Sequence, residues 1–248
     1  MKHPLRTLLL AVCCGLAAAC TQRQERLKLM SYNIRNGIGI DNIQDIGRIA
    51  RVILREAPDL VALQELDSAT LRVDGRYIPG ELGRMTGMHA TFGRAIGFAG
   101  GSYGIGLLSR TEPLAVRSIP LPGREEARVL LMAEFPDYTV CVTHLSLTPE
   151  DRHASLPLIL QATDTCRKPV LLAGDFNTGD AAAVLAGLGG GFRILSDTTR
   201  MTFPSDNPAV RIDYILGRGL PTSATVTASD HCPLWVTLAW KRGKQPGK

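Results

Sequence analysis

The sequence predicts an α/β fold of four layers, an αββα sandwich in which two mixed β-sheets pack face to face with helices on the outer faces. Three observations predict it. Strand-like and helix-like segments alternate from residue 27 to about 238 with no internal repeat and no low-complexity linker. Hairpin-like connections occur beside the helices, so the sheets are mixed. Polar residues able to do chemistry fall at the ends of apolar strands, where a sheet presents them in a crevice. The composition agrees: 248 residues with 45% apolar and 21% charged side chains build one sizeable core and exclude a disordered or fibrous chain. No apolar run reaches the roughly 18 residues of a membrane-spanning helix.

Residues 1–20 stand apart. Lys2 and Arg6 form a basic start, 8–19 an apolar run, and Ala17-Ala18-Ala19-Cys20 a small-residue junction. This is the pattern of an export signal. Its ending resembles the lipobox of bacterial lipoproteins, in which the cysteine becomes the lipidated first residue, although Leu16 sits one place early for that pattern. Residues 21–240 then form one domain and 241–248 a basic tail.

Within the domain, 27–33 alternates as a strand. A helix starts at Asp45, with Ile46, Ile49, Ala50, Ile53 and Leu54 on one stripe, and Pro58 ends it. Residues 59–63 form a short buried strand with Gln64-Glu65 at its C-terminal end. The glycine-rich stretch 66–102 reads as loops around one helix. Strands follow at 104–109, 129–135 and 139–143, the last two a hairpin across Pro136-Asp137. Thr148 or Pro149 opens a helix that runs to about Cys166, 170–173 is a buried strand, and 181–188 is a short helix stopped by three glycines. Strands at 211–216 and 233–239 complete the series.

The net charge of +5 is misleading as a guide to partners. Taking away Lys2, Arg6 and the tail cations Lys241, Arg242, Lys244 and Lys248 leaves a body at −1, without the basic stripe of a duplex-binding surface. Outside the leader stand Cys141, Cys166 and Cys232, too few for a disulfide framework and with no C-x-x-C pair. Cys141 and Cys232 read as small core residues.

The chemistry lies in short segments. Gly174-Asp175-Phe176-Asn177 follows an apolar strand and puts a carboxylate and a carboxamide two residues apart, on one side of an extended backbone, where they can hold a water and a phosphate oxygen together. Capping of the next helix is the competing role for Asp175. Glu65 is a hard-oxygen donor suited to Mg²⁺, or else a solvated strand-end residue. In Ser229-Asp230-His231 the aspartate can orient and charge the imidazole. His144 ends a strand of apolar partners. Asp213 sits between Ile212 and Tyr214 on a half-buried face, which is costly without a partner.

Together with Ser31-Tyr32-Asn33, the run 102–110 (SYGIGLLSR) and Arg211-Ile212-Asp213-Tyr214-Ile215, these segments in this order resemble the endonuclease/exonuclease/phosphatase superfamily over nearly the whole chain after the leader. The resemblance implies a metal-dependent phosphoesterase. Glu65 then holds Mg²⁺, or Mn²⁺, with Asn33 beside it. Asp175 positions or deprotonates the attacking water, Asn177 and His144 hold phosphoryl oxygens, and His231, oriented by Asp230, donates to the developing charge. Asp213 supports one of the histidines. Tyr103 contacts phosphate, and Arg110 and Arg128 are further phosphate-binding candidates, with a surface ion pair as the competing role for each. The stretch 97–106 lacks the Gly-Lys-Ser/Thr ending of a P-loop and reads as a flexible turn before Tyr103.

The histidine in Thr143-His144-Leu145 resembles the branch holding secreted nucleases, sphingomyelinases and inositol-phosphate phosphatases. The expected function is an exported, monomeric phosphodiesterase or phosphatase acting on a small phosphorylated molecule or a lipid headgroup. A nonspecific secreted nuclease is the alternative, and a binding module that has lost catalysis the third reading.

Overall fold

The computed structural model describes residues 24–220, 225–228 and 233–241. The leader, Cys20, Asp230, His231, Cys232 and the tail beyond Lys241 therefore lie outside the described residues. The elements are β1 (Gln24–Asn33), α1 (Ile46–Glu56), β2 (Leu60–Ser68), α2 (Ile78–Thr86), β3 (His89–Phe98), β4 (Gly101–Ser109), β5 (Ala115–Leu121), β6 (Arg128–Glu134), β7 (Thr139–His144), α3 (Pro149–Asp164), β8 (Val170–Asp175), α4 (Ala181–Leu188), β9 (Arg193–Ile194), β10 (Asp213–Arg218), β11 (Thr225–Ala228) and β12 (Leu234–Lys241).

They form two six-stranded sheets, ordered β11-β12-β1-β2-β4-β3 and β5-β6-β7-β8-β10-β9. Each sheet contains one parallel pair, β1 with β2 and β7 with β8, among antiparallel neighbours. Three apolar clusters fill the three spaces between the four layers. Ile49 and Ile53 of α1 and Leu82 of α2 pack on Met30, Val61 and Leu63 of the first sheet. Leu156 and Ile159 of α3 and Val184 of α4 pack on Cys141, Leu172 and Tyr214 of the second. Between the sheets lie Leu27, Leu29, Leu60, Ala62, Ile105 and Leu107 on one side and Leu131, Val142, Leu171, Ala173 and Ile215 on the other. This is the predicted sandwich.

Local chemistry sets the element ends. The Asp45 carboxylate accepts from the Arg48 amide at 2.9 Å and caps α1. Asp180 caps α4 in the same way through Ala183, so helix capping is not the role of Asp175. Three expectations change. The strand expected over 59–63 runs on to Ser68, across a bulge in which Gln64 and Glu65 together oppose Ile105. The stretch read as loops contains β3, whose residues are mostly half-exposed and interrupted by Gly93 and Gly97. The supposed flexible turn over 97–106 is the tip of the β3–β4 hairpin, where Ala99 and Gly100 take φ of 43° and 81° as a two-residue turn requires. The edge strand β5 is mostly exposed and shows no apolar alternation.

Candidate active site

The site continues the pattern that builds the core. Along β1, Leu27 and Leu29 face the other sheet, and two and four residues on come Ser31 and Asn33. On β7 the step after Val140 and Val142 is His144, and on β8 the step after Leu171 and Ala173 is Asp175. Asp213 precedes Ile215 on β10, and Tyr103 precedes Ile105 on β4. Five strands from two sheets thus deliver polar residues to one end of the inter-sheet space.

Strand pairing fixes their neighbours. His144 lies beside Asp175 in the parallel β7–β8 ladder, and Asp213 lies across from Asp175 in the antiparallel β8–β10 ladder. Gly174 allows this closeness, because a Cβ there would run into the Thr143 carbonyl. Phe176 points the other way and packs edge-on against Tyr214 with ring centroids 5.4 Å apart. Asn177 then leaves the extended path, with φ of 50°, a departure from the extended backbone expected there. Its amide donates to Asp175 Oδ1 at 2.8 Å and its side chain donates to the Leu145 carbonyl at 2.8 Å. These bonds tie together the chain just beyond β8 and β7, the strands that end in Asp175 and His144.

At the site the Asn33 side chain links the two sheets. Asn33 Nδ2 donates to Glu65 Oε1 at 2.9 Å and to Asp175 Oδ2 at 3.2 Å. Glu65 reaches this position from the bulge, where its φ of 59° turns it out of the ladder. His144 Nε2 stands 3.7 Å from Asp175 Oδ2.

Burial dominates the electrostatics. Asp175 holds its proton well above the carboxylate range because it is buried and then because Asp213 repels a second negative charge. Asp213 shifts the same way through burial. His144 is held down to about 3, first by burial and then by the Arg128 guanidinium, so its imidazole is neutral. Tyr103 is pushed far up by burial and by the Glu65 charge, so it remains a phenol able to donate.

Arg128 opens β6 at this end of the second sheet, almost fully buried, and its guanidinium lies 3.0 Å from Glu126 and 3.3 Å from Glu125. Its Nε has no partner within the described residues. Arg110 lies elsewhere. It follows β4 at the opposite end of the sheet, donates to the Pro58 carbonyl at 3.2 Å, and is not brought to the site.

Three acidic or basic residues that the sequence reading passed over also stand here. Arg72 forms a two-pronged pair with fully buried Asp67 at 2.8 and 3.2 Å, donates to Asn36 at 2.9 Å, and lies 5.4 Å from the Tyr103 ring centre. Glu126 is raised by its burial. Their sequence signals were weak: Asp67 and Arg72 fall in the stretch read as loops, and Glu126 sits in a charged run that reads as surface.

The sequence from 30 to 234 matches the Endonuclease/Exonuclease/phosphatase family. The chain belongs to this family. Members of the family are hydrolases acting on phosphoester bonds. The fold is similar to that of an endonuclease/exonuclease/phosphatase from Beutenbergia cavernae DSM 12333, with 24% identity, a TM-score of 0.67 and coverage of 88% of this chain and 72% of that one. It is also similar to humanized D. rerio TDP2, at 20% identity and a TM-score of 0.62 over 86% of this chain and 98% of that one. A mannosyl-6-phosphatase of Bacteroides thetaiotaomicron aligns at 16% identity and a TM-score of 0.61, with coverage of 86% and 98%. No curated protein matches the sequence.

Enzymes of this family are typically divalent-metal dependent, and the donors here fit a hard ion. Glu65 and Asp175 present carboxylate oxygens on either side of the Asn33 amide nitrogen, while the Asn33 oxygen accepts from the Arg35 amide at 3.0 Å. Burial, and after it the charge of Asp213, holds a proton on Asp175, and a bound cation would favour its ionised form. Among the described residues no three His, Cys, Asp or Glu side chains form a closed cage.

Proposed function

We propose that the protein is an exported, Mg²⁺-dependent phosphodiesterase or phosphatase acting on a small phosphorylated molecule. The observation that carries this reading is the Asn33 side chain joined to Glu65 and Asp175 from opposite sheets. A metal-donor carboxylate and a buried basic carboxylate are thereby held on either side of one amide.

Glu65 and Asn33 would hold the ion, which when bound supplies positive charge against the phosphoryl oxygens and acidifies water. Asp175 receives the proton of the attacking water. Its burial makes it a stronger base than an exposed carboxylate. Asn177 fixes Asp175 Oδ1 and leaves Oδ2 toward the cleft. Neutral His144, phenolic Tyr103 and the Arg128 guanidinium donate to phosphoryl oxygens as charge develops on them. Asp213 keeps the proton affinity of Asp175 high from the neighbouring strand. His231, oriented by Asp230, completes the donor set in this reading; both lie outside the described residues. The lipobox-like ending at Cys20 supports export as a lipoprotein.

The test is hydrolysis of bis(p-nitrophenyl) phosphate, p-nitrophenyl phosphate, inositol phosphates, sphingomyelin and plasmid DNA with Mg²⁺, Mn²⁺ or EDTA, beside Asp175→Ala. Metal-dependent turnover of the small esters, lost in the variant, is expected. Plasmid nicking without small-ester turnover would replace the reading by a nuclease. A folded protein that binds Mg²⁺ and turns over nothing would replace it by a binding module.

A further inference from the structure

One amide in the inner wall of the site is buried without a bond. Gln64 follows Leu63 and is the next residue on the face of β2 that turns Leu60 and Ala62 toward the other sheet. Its side chain is completely buried, yet neither Oε1 nor Nε2 meets a hydrogen-bond partner among the described residues. In the parallel β1–β2 ladder it stands beside Asn33, and Glu65 follows it in the bulge. The carboxylates of Glu65 and Asp175 accept from Asn33 and not from Gln64. Ser31, two residues before Asn33 on the same face and beside Ala62, repeats the pattern, buried and with its Oγ unpartnered among the described residues. Buried amides and hydroxyls are almost always bonded, because one left bare loses the solvation it had in the unfolded chain. The neighbours Ala62 and Ile105 are apolar, so an apolar side chain at 64 would pack here without that cost. Two bare polar groups on adjacent strands, beside and beneath Asn33, point to a ligand that enters the site.

We propose that Gln64 is a positioning residue for the divalent ion, its amide oxygen and the Ser31 hydroxyl holding a water of the ion's coordination shell from the inner wall of the site. A water on a divalent ion has given a lone pair to the metal and presents two acidified hydrogens, which call for two acceptors. Gln64 Oε1 and Ser31 Oγ are two acceptors on adjacent strands and one face. Mg²⁺ gives up its waters reluctantly and is bound through few protein groups, so groups that fix those waters decide how the ion sits. Enclosure also separates Gln64 from the substrate: with no exposed surface, it acts on the reaction only through such a water. The inference rests on the phosphoesterase reading, in which Glu65 holds the ion, and adds to that site a residue that touches neither phosphate nor leaving group.

The test compares the parent with Gln64→Met, which keeps the length of the side chain and removes its amide. Ser109→Ala is the control, since Ser109 Oγ is also buried and unpartnered among the described residues but lies at the far end of β4. Without metal, Gln64→Met should melt about 2 to 6 °C above the parent, because an apolar group replaces a bare polar one. Its dissociation constant for Mg²⁺, measured by titration calorimetry, should rise about tenfold or more, and Ser31→Ala should shift it in the same direction. Ser109→Ala should bind Mg²⁺ as the parent does. A Gln64→Met protein that melts below the parent would show that the amide is bonded within the fold, and overturns the proposal. Higher melting with Mg²⁺ affinity within about twofold of the parent overturns the role toward the ion and leaves the phosphoesterase reading standing. A parent that binds no Mg²⁺ removes the proposal and the metal-dependent reading together. Weakened Mg²⁺ binding in Gln64→Met, in a protein that hydrolyses no ester, would sink the phosphoesterase reading and leave the role of Gln64 in place.

Discussion

Replacing Asn33 by alanine removes a side chain that bonds to both Glu65 and Asp175. The amide makes bonds of 2.9 and 3.2 Å to two carboxylates, and a hydrogen bond to a charged group contributes about 1.5 to 3 kcal/mol net. If both are needed to hold the carboxylates in their reacting positions, their loss raises the barrier by about 3 to 6 kcal/mol, or roughly two to four powers of ten in kcat/KM. Stability should suffer less, by about 1 to 2 kcal/mol, because water can enter the half-exposed mouth and solvate the carboxylates. The assay is steady-state hydrolysis of bis(p-nitrophenyl) phosphate at saturating Mg²⁺, with a urea melt of the metal-free protein beside it. A kcat/KM within threefold of the parent would refute the reasoning, since the bridge would then be structural only.

Asp213→Asn removes the charge that helps keep Asp175 protonated. Metal-free stability at pH 8 should rise by about 1 kcal/mol in a urea melt while kcat falls. Arg72→Gln leaves Asp67 charged and fully buried without its partner, a loss of about 3 to 5 kcal/mol. The double variant with Asp67→Asn should recover most of it by the same melt. The pH dependence of metal-free stability follows from the raised carboxylates: the contribution of Asp175 and Asp213 is complete below the ordinary carboxylate value of 3.8 and is lost as pH rises through their elevated folded-state values. Because a cation needs them ionised, the rise in melting temperature on adding Mg²⁺ should be larger at pH 8 than at pH 5, by differential scanning fluorimetry; an equal rise at both would contradict it.

What could be read from residue order depended on burial. Strands buried on both faces, such as β7 and β8, announce themselves as apolar runs, and the polar residues at their ends, His144 and Asp175, were visible for that reason. The edge strands were not. β5 is mostly exposed and β3 is held largely by ladder bonds to β4, so neither needs the alternation that marks a half-buried strand. Arg110 looked equivalent to Arg128 because each flanks an apolar strand, yet β4 and β6 both start at the site and run away from it, so Arg128, which opens its strand, stands at the site and Arg110, which follows its strand, does not. Asp67 and Arg72 were hidden for another reason: their pairing spans a 3-10 turn, whose glycine-rich surroundings suggest loop. The side-chain path of Asn33 to both carboxylates required two sheets, which no local pattern contains.

The bulge in β2 acts as a phase shifter on a two-state sequence. Ahead of it, even-numbered residues such as Ala62 face the opposing sheet and odd-numbered ones such as Leu63 face α1 and α2. Behind it the parity is exchanged, so that Leu66 packs with the helices and Asp67 stands opposite Tyr103. Deleting one residue from Gln64-Glu65 would restore one-to-one pairing across Ile105 and leave Leu66 and Asp67 on the faces they now occupy, whereas inserting one residue between Glu65 and Leu66 without a second bulge would make every downstream side chain trade faces. A single-residue deletion at 64 or 65 should therefore keep the fold in a urea melt and lose the outward turn that brings Glu65 to the site. The extra residue serves the chemistry of the strand rather than its frame.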